Sequence, residues 1–417
     1  MSTASPSPGA HTPSEFKTGG TALFASFVGA ACAVNGVPFY THGVFVGPVS
    51  AEFGWGRGET QFAFSFVMLV ATFTAPFIGG VIDRIGARAI AIPSVAAFAL
   101  TFALLSLTGA SILSYYALWL LMAVVGSGTI PVTWTRVVNG WFDKNRGLAL
   151  GLTMAGTGVI GTFAPSVANA LIADYGWRGA YVALGIAIAV VSLPILFLFF
   201  RDRPAPQAHE AQRSTQMVEG LTPREALRGY RFWVMGIAMF LICGGVAGLI
   251  TNLVPLLTDK GMPRPEAAAF AGVIGLSVIA GRLVAGWLID RFWGPGVAFV
   301  FLIAPAISCL VLAQAAIDPA LLWIAVPLIG LAAGAELDML AFFTAKYFGM
   351  KHYGALYGGQ FGFFAISSGF APALFGAVYD RVGNYEPILL IAAVCFVIGA
   401  ALFLTLGRYP SFAGKVH

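Results

Sequence analysis

The chain has 417 residues, of which 58% are hydrophobic and only 10% charged, with a formal net charge of +5. A soluble domain carries about 25% charged residues, so a soluble enzyme is excluded; hydrophobicity excludes disorder, and four cysteines are too few for a disulfide scaffold. What is left is an integral membrane protein built of helices, with a mean hydropathy of +0.85.

Residues 1–20 read as a polar tail, expected to be disordered, without the basic-then-apolar order of a cleavable signal peptide. A helix needs about 20 apolar residues to cross the hydrocarbon. The apolar runs predict twelve spans: 21–47, 59–82, 88–109, 113–138, 146–174, 178–200, 231–258, 265–289, 296–316, 319–346, 352–379 and 385–407. They form two six-helix halves, 21–200 and 231–407, with a linker at 201–230 and a tail at 408–417. In the linker, Leu221-Thr-Pro-Arg-Glu-Ala-Leu227 predicts a short helix with Thr222 as cap and Pro223 in its first turn.

With both termini and the linker on one side, sixteen of the 23 Lys and Arg residues lie on that side and five on the other, while Arg136 and Arg282 fall within spans. This asymmetry predicts cytoplasmic termini in an inner or plasma membrane. It also makes the basic residues topology signals rather than a nucleic-acid surface. Cys32, Cys243, Cys309 and Cys395 lie in apolar runs without ligand spacing and read as packing residues. No metal or other cofactor is expected. No P-loop pattern occurs, so no nucleotide is expected either.

The halves repeat each other at an offset near 207. Gly79-Gly-Val-Ile-Asp83-Arg84-Ile-Gly86-Ala-Arg88 follows span two, and Gly286-Trp-Leu-Ile-Asp290-Arg291 follows span eight. Trp141-Phe142 with Arg146-Gly147 precedes span five, and Tyr347-Phe348 with Lys351 and Gly354 precedes span eleven. Asp174-Tyr-Gly176 and Asp380-Arg-Val-Gly383 close those two spans. Parallel six-helix halves around a central site are a transporter architecture.

The segment Gly79–Arg88 resembles the loop signature of the major facilitator superfamily, and the resemblance extends over about residues 20–407. It implies the major facilitator fold and alternating access. It also implies that Gly79, Asp83, Arg84, Gly86, Arg88 and, in the degenerate copy, Asp290 and Arg291 clamp the cytoplasmic helix ends and release them during transport. Trp141–Gly151 and Gly281-Arg282-Leu-Val-Ala-Gly286-Trp-Leu-Ile-Asp290 resemble the monocarboxylate and oxalate–formate transporter group. That group carries a substrate-binding arginine in span eight, which Arg282 matches by its spacing to Gly286 and Asp290.

Ionisable residues inside a span cost about 2.5–3.5 kcal/mol each on insertion scales and face the bundle interior. Here they are Arg136, Arg282, Glu336, Asp338 and the titratable His42. Arg282 presents a permanent cation that grips a carboxylate through two parallel bonds; a structural ion pair with Glu336 or Asp338 is the alternative. Two arginines balance two acids, so one bound anion leaves a negative charge that protonation of Glu336, Asp338 or His42 would restore. That is the chemistry of proton–anion symport. Glu336 and Asp338 are two apart and point to different helix faces, so one pairs with an arginine while the other titrates. Arg136, nearer the cytoplasm, fits a gate or ion pair as well as substrate contact.

Tyr353, Tyr357 and Gln360 fall on one face of span eleven, and Tyr40, Asn35, Asn252 and Gln61 are further polar candidates. Oxalate-transporting members carry a lysine where the resemblance puts Gln360, so a neutral amide there favours a monocarboxylate. The expected function is a monomeric secondary transporter of a small monocarboxylate, coupled to protons. Anion exchange or uniport on the same fold is the alternative. A transporter-like sensor lacks a long signalling domain, and a membrane enzyme lacks paired histidines.

Overall fold

The computed structural model describes residues 15–142, 145–202 and 220–410, without the side chains of Pro76 and Asp83. The chain is helical almost throughout, because a backbone in hydrocarbon must satisfy its own hydrogen bonds. Hydroxyls follow the same rule. Ser26, Thr41, Thr153, Thr251 and Thr344 each donate to the carbonyl four residues back in their own helix.

Span one is two helices, α1 (Glu15–Ala31) and α2 (Val37–Phe53), with a break at residues 32–36. α1 thus starts ahead of Thr21, inside the stretch expected to be disordered. The break follows from Asn35-Gly36 ahead of Pro38. It leaves the Val34 N–H without a helical acceptor, and the Thr129 hydroxyl accepts from it at 3.1 Å. Thr129 lies in a second interruption, where span four divides into α5 (Ile112–Val125) and α6 (Pro131–Trp141) around a 3-10 turn at Gly126–Thr129. Beside the main core, Leu23, Val138, Phe142 and Ala149 form a separate apolar cluster with Phe16 and Trp141.

Spans two and three are α3 (Arg57–Ile85) and α4 (Ala87–Leu104). Spans five and six are one continuous element, α7 (Arg146–Phe199), bent where Gly176 takes φ 69° and ψ 171°. A side chain there would be strained, so the expected connection at 174–178 contracts to one glycine. In the linker, α8 (Pro223–Arg228) is capped as expected: Glu225 N–H donates to the Thr222 hydroxyl, and Thr222 N–H to the Glu225 carboxylate. The second half follows as α9 (Tyr230–Asp259), α10 (Arg264–Ile289), α11 (Gly294–Leu312), α12 (Pro319–Phe348), α13 (Tyr353–Val382) and α14 (Glu386–Leu404). Among the described residues nine helical stretches, one of them α5 and α6 taken together, are long and apolar enough to cross a membrane. With α1 and α2 joined, α3 added and α7 counted twice at its bend, twelve spans result.

One face gathers both described ends and the linker. Glu15 accepts from the Asn145 N–H, Leu221 N–H donates to Phe348 O, and Arg231 donates to Leu406 O and Arg408 O. We call this the linker face and the opposite one the far face. The halves meet along α3 with α13, α7 with α10, and α2 with α9.

Candidate functional site

The site begins with two glycines that let α10 and α12 touch. A Cβ on Gly334 would lie 2.9 Å from the Arg282 backbone nitrogen, and one on Gly281 would lie 2.7 Å from Leu331 Cα. Asp338 follows Gly334 by one turn on the same helical face, so its carboxylate comes beside Arg282, Nε to Oδ2 at 3.5 Å. That pair is held by charge, since Arg282 Nε makes no hydrogen bond. The Arg282 side chain is 12% exposed and that of Asp338 is 43% exposed. A charged group so exposed in the interior of a membrane helix faces a water-filled cavity.

Glu336 points elsewhere, as its two-residue offset requires. It is buried, with the Cys243 thiol of α9 beside it, and its Oε2 has no hydrogen-bond partner. Tyr40 of α2 sits in the field of both Arg282 and Glu336, with its ring against Gly161 of α7. Tyr357 of α13 is acted on by Asp338 and Arg282. It stacks on Tyr353 at 5.7 Å and 16°, and Phe361 continues the ladder at 6.3 Å. Arg282, Asp338, Glu336, Tyr40, Tyr353 and Tyr357 therefore come together, with Cys243 as a member that sequence reading had assigned to packing.

Other candidates lie elsewhere. His42 is buried between the rings of Trp119, at 4.8 Å, and Phe64, at 6.1 Å, inside the first half. Gln360 turns its amide into α9, donating to Phe232 O at 2.7 Å, so it does not share the Tyr353–Tyr357 surface. Asn252 accepts from Gln61 of α3, across the halves, and donates to Gly248 O of its own helix at 2.9 Å; both of its polar atoms are thus committed. Asn35 lies in the break of span one with its Oδ1 unpartnered. Arg136 is exposed on α6 toward the linker face.

The loop signature closes contacts within one half. Gly86, at φ 88°, turns α3 into α4. Arg88 donates to Phe197 O and Phe200 O, while Asp202 accepts from the backbone N–H groups of Ala87 and Arg88. Arg84 and Asp290 are exposed, and Arg291 folds over Trp287 of its own helix at 4.2 Å. The Asp83 side chain lies outside the described atoms.

The halves are sealed at the far face. Arg57 makes a two-pronged pair with Asp259 at 2.5 and 2.8 Å, lies 3.8 Å over the Tyr379 ring, and donates to the Tyr385 hydroxyl. Asp380 accepts from the N–H groups of Arg57 and Gly58 at 2.9 and 2.8 Å, capping α3 from across the seam. Deeper in, Ser65 donates to Gly369 O at 2.7 Å, and α7 meets α10 where Gly158 faces Gly275. Toward the linker face the same helices are unpacked. Added Cβ atoms on Gly79, Gly80, Gly147, Gly151, Gly286, Gly354, Gly358 and Gly362 would meet nothing within 4 Å. The bundle is closed at the far face and open toward the linker face, which is the side from which Asp338 is wetted. Sequence reading had left Arg57, Asp259 and Asp380 as loop residues; only the Asp380–Gly383 repeat hinted at their importance.

The sequence model described as Major Facilitator Superfamily matches residues 27–372. The chain belongs to that superfamily. Within it, the chain is 29% identical over 266 residues to the oxalate:formate antiporter of Oxalobacter formigenes, covering 63% of this chain and 60% of that protein. It is 26% identical over 274 residues to human monocarboxylate transporter 11, covering 64% and 56%. Among solved structures, a bacterial homolog of the human lysosomal transporter Spinster, described as inward-facing and unoccupied, superposes with a TM-score of 0.68. That match has 16% identity and covers 96% of this chain and all of that one. The superfamily fold expected from the repeat is thus the observed one, and the protein is a transporter of this superfamily.

Proposed function

We propose that this transporter carries a small organic monocarboxylate by alternating access, coupled to protons. The observation that carries the reading is Arg282: a cation inside the bundle, hydrogen-bonded to no described protein group, with only the long contact to Asp338. A substrate carboxylate takes two parallel guanidinium N–H bonds and displaces Asp338. Tyr40, Tyr353 and Tyr357 flank the organic part. A single arginine suits one negative charge. This basis for a monocarboxylate replaces the one drawn from Gln360, whose amide is committed to Phe232 O.

Glu336 is the group we assign to the proton. Asp338 has Arg282 for a partner, whereas Glu336 has a thiol on one side and nothing at Oε2. An anion on Arg282 adds negative charge beside a buried carboxylate and draws a proton to it; by linkage, the proton favours the anion equally. Loaded with both, the interior carries the same charge as empty and deprotonated. The excess of Lys and Arg on the linker face supports a cytoplasmic linker face and hence an inward-open state.

Proteoliposomes test the reading. Acid outside should drive accumulation of a monocarboxylate, and Arg282→Gln should abolish it in a folded protein. Glu336→Gln should uncouple accumulation from the pH gradient while leaving substrate exchange. Uptake unaltered in Arg282→Gln would sink the anchor. Exchange without any response to the gradient in the native protein would favour the second reading, antiport, which the name of the Oxalobacter relative supports.

A further inference from the structure

A cavity of about 320 Å³ lies at the far face between the two halves, bounded by α2, α3, α9 and the start of α10. Its lining includes Gly43, Gly47, Pro255 and Met262, with two guanidinium groups, Arg57 and Arg264. The first of these is neutralised by Asp259. The second is not. Arg264 is half-buried and donates from Nη2 to the backbone carbonyl of Val44, and among the described residues no carboxylate pairs with it. One of its five N–H donors is thus used, and the charge has no counter-ion among the described residues. Partly buried charges are normally paired, because removal from water costs several kcal/mol per ion without compensation. Here the guanidinium borders empty space, and the space is made by glycine: a Cβ on Gly47 would lie 3.9 Å from Arg264 Nη2.

We propose that this cavity is a binding site for a small anion, a halide or a short carboxylate, held by Arg264. It is separate from the Arg282 site. The two arginines stand 18 positions apart on α10, about 27 Å along the axis. The anion completes the charge balance of Arg264, and because both halves wall the cavity, its binding favours the state closed at the far face. Pro255 and Met262 keep the surroundings apolar, which strengthens the ion pair. The site therefore biases the transport cycle through an anion that is not itself carried from that position.

The test is thermal unfolding of the purified full chain in detergent at fixed ionic strength. Sodium chloride or sodium formate replaces sodium lactobionate, whose disaccharide anion is too bulky for a cavity of about 320 Å³. The native protein and Arg282→Gln should each gain roughly 2 °C or more at saturating chloride or formate. Arg264→Gln should lose the gain, Arg264→Lys should keep most of it, and Gly47→Val, which fills the space and retains the charge, should lose it. A gain with chloride alone assigns a halide, and one with formate alone a carboxylate. A shift that survives in Arg264→Gln, or that disappears in Arg282→Gln, overturns the site, as does a native protein indifferent to both anions. Because Arg282→Gln is one of the arms, failure of this site and failure of the central site read differently.

Discussion

The far-face seal makes a quantitative claim about which conformation the protein prefers. Consider Asp259→Asn. The Arg57 and Asp259 side chains are 19% and 27% exposed. Fully exposed pairs contribute about 0.2–1 kcal/mol, and hydrogen bonds to charged groups about 1.5–3 kcal/mol. A two-pronged pair in this intermediate setting stabilises the closed face by about 1–2 kcal/mol. The contact of Arg57 over Tyr379, and the cap supplied by Asp380, survive the substitution. Losing 1–2 kcal/mol shifts the ratio of closed to open far face by roughly 5–30-fold toward open. Spin labels at Ser111→Cys and Ala316→Cys, exposed on opposite halves of the far face, report the separation. The background has Cys32, Cys243, Cys309 and Cys395 replaced. The expected result is a second, longer distance whose population grows in Asp259→Asn and grows further with Arg57→Gln. An unchanged distance distribution in both variants would refute the claim that this pair holds the halves together.

Three further outcomes follow from the packing. Arg282→Lys should lower kcat/KM for a monocarboxylate by at least tenfold, because a lysine cannot reproduce the two-pronged grip; radiolabelled uptake measures it. Gly334→Val should lower the melting temperature and raise KM, since its Cβ would sit 2.9 Å from the Arg282 backbone nitrogen and overpacking costs about 1–3 kcal/mol. Gln360→Lys should destabilise the protein without gaining a dicarboxylate, since it puts a charge where the fully buried amide bonds to Phe232 O. Dicarboxylate uptake by a stable Gln360→Lys protein would instead return that residue to the substrate site.

What the sequence revealed and what it hid divide along physical lines. Spans, repeat and linker helix were legible because hydropathy and capping are local: Thr222 and Glu225 are three residues apart. Arg282 was legible because a charge in hydrocarbon is conspicuous. The far-face seal was not, because Arg57 and Asp259 are 202 positions apart and each, at a helix end, looks like a solvated loop residue. Gln360 misled because helical spacing gives the face within about one residue's rotation, and 60° decides between Tyr357's neighbours and α9. His42 misled because a polar residue in a span suggests a site, whereas aromatic rings enclose it. The breaks at 32–36 and 126–130 stayed hidden under unbroken hydropathy, although Asn35-Gly36 before Pro38 and Gly126-Ser-Gly128 before Pro131 carried the signal.

Those two breaks have a mechanical consequence. They lie against each other and share one hydrogen bond, from Val34 N–H to Thr129. Below them, the ends of spans one and four are bound together by their own apolar cluster. Spans one and four are therefore jointed at a shared seam of short turns, while α3 and α9 to α14 run unbroken. The linker-side segments α1 and α6 can tilt at the cost of turn dihedrals rather than helical hydrogen bonds. A carrier of this build can narrow its opening toward the linker by folding that corner inward while the far-face seal still holds.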